Sequence, residues 1–297
     1  MSRFFGLLLL VFCTQLAASE LVKHIVPSDG HPLTLWEKSP ADPKAQILLL
    51  HGRTWSSLPD FDLQVEGEDL SFMDGLNALG YSVYALDARG YGATPRDESG
   101  WLTPDRAAKD VSNVLSWLRE RSAQEVHLFG WSYGSMVAQL VMQREPEHAS
   151  SLILFGYPFS LERYPVFDDI VYPAVAPAEA NTAENAASDF IVPGSISQKA
   201  IETYVEASLR ADPVRVDIRD IHEWAELNPG RVKTPTLLIK GEFDPLVPIG
   251  QQAELFRDLG TPDKWFIILP GGDHAALLET PRERMLHAMD SFMQSLE

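Results

Sequence analysis

Gly130-Trp131-Ser132-Tyr133-Gly134 stands where an apolar run ending at Phe129 gives way to helical-looking text from Met136 to Met142. Gly-x-Ser-x-Gly at a strand-to-helix junction marks a turn so sharp that its central residue takes a strained φ/ψ and side chains two positions either side would collide. The serine hydroxyl is then thrust clear of the sheet edge. The unpaired N–H groups of the helix start offer positive potential to a developing oxyanion. A serine hydroxyl needs a base to take its proton, and a neutral imidazole suits that task near pH 7. Of eight histidines, His274 in Gly271-Gly272-Asp273-His274 follows the last strand-like run, on a loop at a strand's C-terminal end where open α/β sheets gather ligand-binding residues. The carboxylate that orients it should follow the preceding strand, and Gly241-Glu242-Phe243-Asp244-Pro245 supplies Asp244, with Glu242 and Asp273 as competitors. Such a set performs acyl transfer, with chain order Ser, Asp, His.

A further element is Leu48-Leu49-Leu50-His51-Gly52-Arg53, an early strand running into a tight loop. Glycine lets the backbone turn so that the Arg53 N–H points at the same oxygen as the Tyr133 N–H. His51 reads as a brace of that loop rather than as a second base. His24, His31, His127, His148, His222 and His287 fall in strand, helical or leading text and read as structural or surface residues.

These residues must be held by an alternating fold. A leading hairpin, Leu21 to Ile25 and Leu33 to Trp36, flanks the turn dipeptide Asp29-Gly30. Short, nearly continuous apolar runs follow at Gln46–Leu50, Ser82–Leu86, Glu125–Phe129, Ser151–Phe155, Thr236–Lys240 and Trp265–Leu269, as expected of parallel strands buried on both faces. Thr103-Pro104 starts a helix with Ala107, Val111, Val114, Leu115 and Leu118 on one face. A last helix is expected to begin with a capping box at Thr280-Pro281-Arg282-Glu283. The rhythm breaks over the 74 residues from Tyr157 to Gly230, which carry 5 basic and 13 acidic side chains. A crossover needs far fewer residues, so this stretch reads as an inserted helical lid that disfavours polyanions. The expected organisation is therefore a signal peptide at 1–19, core at 20–156, lid at 157–230 and core at 231–297.

Composition excludes several classes. With 24 Lys plus Arg against 42 Asp plus Glu, the net charge of -18 repels phosphate backbones, so nucleic acid is not an expected partner. The single Cys, at position 13, provides no disulfide framework and no thiolate metal site. There is no His-Glu-x-x-His, and Gly75 to Gly80 has phosphate-loop spacing but is followed by Tyr81 instead of Lys, so no cofactor is implied. Arg3, the apolar run Phe4–Phe12 and then Ala17, Ala18 and Ser19 follow the order of a secretory signal peptide. The apolar run is about half the ~20 residues of a membrane span. Cleavage after Ser19 removes one charge, Arg3, and leaves a cysteine-free chain in a periplasmic or extracellular setting without stable membrane insertion.

His51-Gly52, Asp87-Ala88-Arg89-Gly90-Tyr91-Gly92, the Ser132 elbow, Asp244 and His274 occur in an order that resembles the α/β-hydrolase superfamily. The likeness is to its lid-bearing branch of carboxylesterases, carbon-carbon bond hydrolases, proline iminopeptidases and perhydrolases. The resemblance, over about residues 21–297, implies a mostly parallel central sheet flanked by helices. It implies Ser132 as nucleophile, His274 as base, Asp244 as its acid, and the Arg53 and Tyr133 N–H groups as oxyanion hole. Serine in the elbow argues against the dehalogenase and epoxide hydrolase branches, which hold Asp there. Many relatives read His-Gly-x-Pro where this chain has His51-Gly52-Arg53-Thr54, which places a guanidinium near the site, suited to a carboxylate or polar group of the substrate. The expected activity is ester hydrolysis on a small molecule. Amide or N-terminal peptide hydrolysis with Glu162, Asp168 or Asp169 holding an ammonium, carbon-carbon cleavage, perhydrolysis, and a non-catalytic binding protein stay open. Phe159, Tyr164, Phe167, Tyr172 and Phe190 are candidates for an apolar lining of the lid.

Overall fold

The structure is a computed structural model and describes residues 19–158 and 170–296. The signal segment up to residue 18, and Phe159, Glu162, Tyr164, Phe167, Asp168 and Asp169, lie outside the described residues. Strands β1 (Val22–Ser28) and β2 (His31–Lys38) form the leading hairpin, paired from Val22↔Glu37 to Ser28↔His31. Asp29 and Gly30 take φ of 50° and 79°, the two positive angles that a tight primed turn demands. The remaining strands are β3 (Ala45–Leu50), β4 (Tyr81–Asp87), the short β5 (Trp101–Leu102), β6 (Val126–Trp131), β7 (Ser151–Phe155), the short β8 (Asp217–Ile218), β9 (Thr236–Gly241) and β10 (Lys264–Leu269). Eight strands make one sheet in the order β1-β2-β4-β3-β6-β7-β9-β10, antiparallel as far as the β2–β4 pairing and parallel from β4 to β10.

The apolar runs behave as their lack of alternation predicts. Every residue of β3, β4, β6, β7 and β9 is buried. Successive residues serve opposite faces: Leu48 and Leu128 join one cluster with Val111 and Leu115, while Leu49 and Phe129 join the other with Met289 and Phe292. β10 departs from the expectation of burial on both faces. It is the edge of the sheet and mostly half-buried, with Ile268 exposed, because it has a strand neighbour on one side only.

Helices α1 (Ser57–Phe61), α2 (Phe72–Ala78), α3 (Pro104–Arg121), α4 (Tyr133–Arg144), α5 (Ala183–Ala187), α6 (Gln198–Ala211), α7 (Ile249–Asp258) and α8 (Arg282–Gln294) complete the layers. α3 starts as its sequence dictates, with Thr103 accepting from the Arg106 N–H and Ala107, Val111, Val114, Leu115 and Leu118 buried. The capping box expected at Thr280 does not form. The helix begins at Arg282 with Pro281 at its cap, and both the N–H and the hydroxyl of Thr280 go to the Ser195 carbonyl, each at 2.8 Å. A tertiary acceptor has taken the donor that local spacing assigned to a cap.

Between Phe155 and Thr236 the chain leaves the sheet and builds α5, α6 and β8. This insertion is tied to the core at several points. β8 pairs in parallel with β5, Tyr204 of α6 donates to Asp60 of α1 at 2.9 Å, and Asp212 accepts from the N–H groups of Ser56 and Gly92, both at 2.8 Å.

Candidate active site

Ser132 occupies the N-cap position of α4 at φ 54°, ψ -119°, a positive φ that is uncommon for any residue other than glycine. The flanking glycines are there for space. A Cβ on Gly130 would lie 2.4 Å from the Gly134 carbonyl oxygen, and one on Gly134 would lie 2.4 Å from the Leu50 oxygen and 2.6 Å from the His51 oxygen. Strand β6, the elbow and the loop after β3 therefore pack backbone to backbone. The Ser132 N–H is fixed by the Phe155 carbonyl at 2.9 Å, at the end of the neighbouring strand β7.

His274 sits on the loop after β10 and Asp244 on the loop after β9, adjacent parallel strands whose C-terminal ends lie side by side. His274 Nδ1 is 2.7 Å from Asp244 Oδ2, and the other Asp244 oxygen accepts the Leu246 N–H at 2.9 Å. The Asp244 carboxylate is fully buried and the imidazole nearly so. With Nδ1–H donated to the carboxylate, Nε2 is left with a lone pair. Trp131, the neighbour of Ser132, donates its indole N–H to the His274 carbonyl at 2.7 Å. A Cβ on Gly156, next to the residue that fixes Ser132, would stand 3.0 Å from His274 Cε1. The structure thus joins Asp244 to His274 by a hydrogen bond and brings His274 against the residues flanking Ser132, while Ser132 Oγ makes no hydrogen bond to the ring. Such contacts often tighten only when substrate binds.

The competing carboxylates have other partners. Glu242 accepts the Gly271 N–H at 2.9 Å. Asp273 accepts the Ile191 and Val192 N–H groups at 2.7 and 2.8 Å through one oxygen and the Ala275 N–H at 2.8 Å through the other.

On the β3 side, a Cβ on Gly52 would stand 3.4 Å from Ser132 Cβ, so the loop after β3 lies against the elbow. His51 braces it: Nδ1 is 2.7 Å from the Gly52 carbonyl, Nε2 accepts the Ala88 N–H at 3.1 Å, and burial lowers its pKa and keeps the ring neutral. The Arg53 N–H has no backbone partner, and the Tyr133 N–H is one of the unpaired donors of a first helical turn. Thr54 takes φ 100°, which a proline ring, locked near -65°, cannot reach. The proline that the resemblance leads one to expect at this place could not follow this path of the loop.

Residues 41–281 match the family described as serine aminopeptidase, S33. The chain belongs to this family. That family is part of the α/β-hydrolase superfamily. The serine hydrolase BPHL of Homo sapiens is 24% identical over 212 residues, covering 68% of this chain and 64% of that protein, so the chain spans less than two thirds of that relative's length. A pimeloyl-[acyl-carrier protein] methyl ester esterase of Aeromonas salmonicida is 26% identical over 236 residues, covering 69% of this chain and 83% of the relative. Among solved structures, a serine hydrolase involved in carbazole degradation superposes with a TM-score of 0.67 at 19% identity, over 93% of this chain and all of that one. An esterase of Pyrococcus furiosus does so with a TM-score of 0.60 at 17% identity, over 93% and 91%. These likenesses establish the fold.

In this S33-family chain the insertion converges on the site through acidic residues that carry no motif. Asp60, 1% exposed, and Asp189 both accept from the Tyr204 hydroxyl, at 2.9 and 3.2 Å. Burial, reinforced by the neighbouring Asp189 charge, raises the Asp60 pKa well above the carboxylate range, and burial pushes Asp189 up to about 6. Burial likewise takes Asp212 to about 6. Glu279 accepts from the Ser195 hydroxyl at 2.5 Å and the Asp273 N–H at 3.1 Å, and burial raises it to about 7. Asp273 and Glu279 together bolt residues 191–195 of the insertion to the loop that carries His274. Of the lining candidates within the described residues, Tyr172 packs edge-on against Trp101 of the core and so helps seat the insertion, while Phe190 packs edge-on against Tyr204 within it.

Proposed function

We propose that the protein is an exported carboxylesterase that cleaves small-molecule carboxylic esters through Ser132, His274 and Asp244. The Asp244–His274 hydrogen bond at 2.7 Å, beside a serine held on a strained elbow, carries this reading. That one curated relative is a methyl ester esterase supports it. Ser132 Oγ attacks the ester carbonyl carbon while His274 Nε2 takes the hydroxyl proton. Asp244 stabilises the imidazolium and holds its tautomer. The carbonyl oxygen becomes an oxyanion that accepts from the Arg53 and Tyr133 N–H groups. Collapse of this intermediate breaks the bond to the alkoxy oxygen, which leaves as the alcohol with the proton from His274. Water, deprotonated by the same nitrogen, then attacks the acyl-enzyme and releases the carboxylic acid and the free serine. Residues 157–230 act as the lid that shapes the pocket. Residues 1–19 direct export and are removed, so the mature chain starts at Glu20.

A screen of activated esters graded by acyl length, run beside amino-acid arylamides on the chain from Glu20, tests the proposal. Hydrolysis of esters that is lost in Ser132→Ala supports it. Cleavage of the arylamides alone would replace it with the peptidase reading.

A further inference from the structure

The wall of the Ser132 site on the Arg53 side holds more donors than ester hydrolysis needs. Arg53 follows Gly52, the residue packed against Ser132, and its exposed side chain forms no ion pair or hydrogen bond among the described residues. Other arginines are taken up by carboxylates, Arg89 by Asp110, Arg96 by Asp217, Arg106 by Asp97 and Arg144 by Glu226, whereas Arg53, like Arg119, Arg215 and Arg284, has no such partner among the described residues.

Two hydroxyls stand on the same wall. Tyr91 is completely buried, with its ring 4.6 Å from that of His51, the residue that braces the Arg53 loop. Tyr133 follows Ser132 in the chain and is more than nine-tenths buried, its ring edge-on to Trp224 of the insertion at 5.5 Å. Both phenolic oxygens are buried and neither has a hydrogen-bond partner. An unsatisfied buried hydroxyl is costly enough that it is normally paired in the functional state; the Tyr133 oxygen has no described protein partner, and the Tyr91 oxygen faces only the Thr54 N–H, short of a well-formed hydrogen bond. Burial raises the pKa of both phenols, Arg53 opposes the rise at each, and at Tyr91 the Thr54 N–H and Arg215 oppose it as well. The acids that oppose them are already engaged. Asp212 holds the Ser56 and Gly92 N–H groups, and Glu223 accepts the Asp105 N–H.

We propose that Arg53, with the hydroxyls of Tyr91 and Tyr133, forms a subsite for a carboxylate carried by the ester substrate. A guanidinium fork matches the two oxygens of a carboxylate, and phenolic O–H groups complete its lone pairs. The inference rests on the esterase reading above and narrows it to esters that keep a free carboxylate, such as half-esters of dicarboxylic acids. The subsite binds and orients; no bond is made or broken there.

The test compares the monomethyl and dimethyl esters of the same straight-chain dicarboxylic acid. A charge-assisted pair at this site favours the half-ester by about tenfold to a hundredfold in kcat/KM. The ratio falls several-fold in Tyr91→Phe and collapses towards one in Arg53→Gln, and in the wild type it shrinks as salt is added. The same preference must appear without turnover, in inhibition by two alkylboronic acids that differ only in a terminal carboxylate against its methyl ester. A wild-type ratio at or below one for both pairs, or a ratio untouched by Arg53→Gln, overturns the subsite. Absence of all ester hydrolysis while the carboxylated boronate still binds more tightly would count against the esterase reading and leave the subsite standing.

Discussion

His274 Nδ1 lies 2.7 Å from Asp244 Oδ2, across the gap between the loops that follow the two adjacent parallel strands β9 and β10. The pair is positioned by the sheet rather than by either loop alone. Replacing Asp244 with Asn keeps the shape but presents an amide that favours the wrong tautomer of His274. Asp244→Asn is expected to reduce kcat by about three to four powers of ten while leaving the thermal midpoint within a few degrees. Steady-state kinetics beside a melting curve check this, and near-normal turnover would remove Asp244 from the mechanism.

Thr54 at φ 100° fixes the path of the loop whose next N–H upstream belongs to Arg53. Thr54→Pro demands φ near -65°. The expectation is a loss of activity of at least tenfold with a lowered melting temperature. An active, equally stable variant would mean that this loop carries no strained donor.

Glu279, raised by burial to about 7 from an ordinary value near 4.5, is easier to keep protonated in the folded chain than in the unfolded one. Its contribution to stability is present below about pH 4.5 and is lost as pH rises through about 7. Asp189 and Asp212, both raised to about 6, act in the same direction. Melting temperature should therefore fall between pH 5 and pH 8. Glu279→Gln, which cannot ionise, should flatten that slope and melt a few degrees higher than wild type at pH 8. A slope unchanged by the substitution would show that the group is not the source.

Asp273 neighbours His274 but faces the insertion, where one of its oxygens holds the N–H groups of Ile191 and Val192. Asp273→Ala strands three N–H groups, of which that of Ala275 is buried and those of Ile191 and Val192 partly so, and is expected to cost about 2–4 kcal/mol. Limited proteolysis should then cut near residues 191–195 before the core unfolds, with kcat falling because the His274 loop loses its tether. Wild-type protease resistance would contradict the anchoring role.

Much of this arrangement is legible in the amino-acid order because its causes are local. The glycines at 130 and 134 mark a backbone approach that admits no Cβ. The apolar runs without alternation mark strands covered on both faces. The asparagine-like turn chemistry of Asp29-Gly30 marks the hairpin. Asp244 and His274 can be named because each follows its own strand, so topology alone brings them to one edge. What stays hidden depends on partners distant in the chain. The burial of Asp60, Asp189 and Asp212 is a tertiary fact, and nothing in Ser-Leu-Pro-Asp-Phe or Ala-Ala-Ser-Asp-Phe announces it. Thr280 spaces correctly for a cap but meets the Ser195 carbonyl, and the β10 run reads like a central strand because hydrophobicity does not reveal which strand is last in the sheet.

The most direct test of the central claim, that Ser132 is a nucleophile activated by His274, is reaction with a fluorophosphonate followed by peptide mapping. The account predicts a single adduct on Ser132 in the wild type and labelling slowed by orders of magnitude in His274→Ala. An adduct on another residue, or labelling of Ser132 at an undiminished rate without the imidazole, would contradict it.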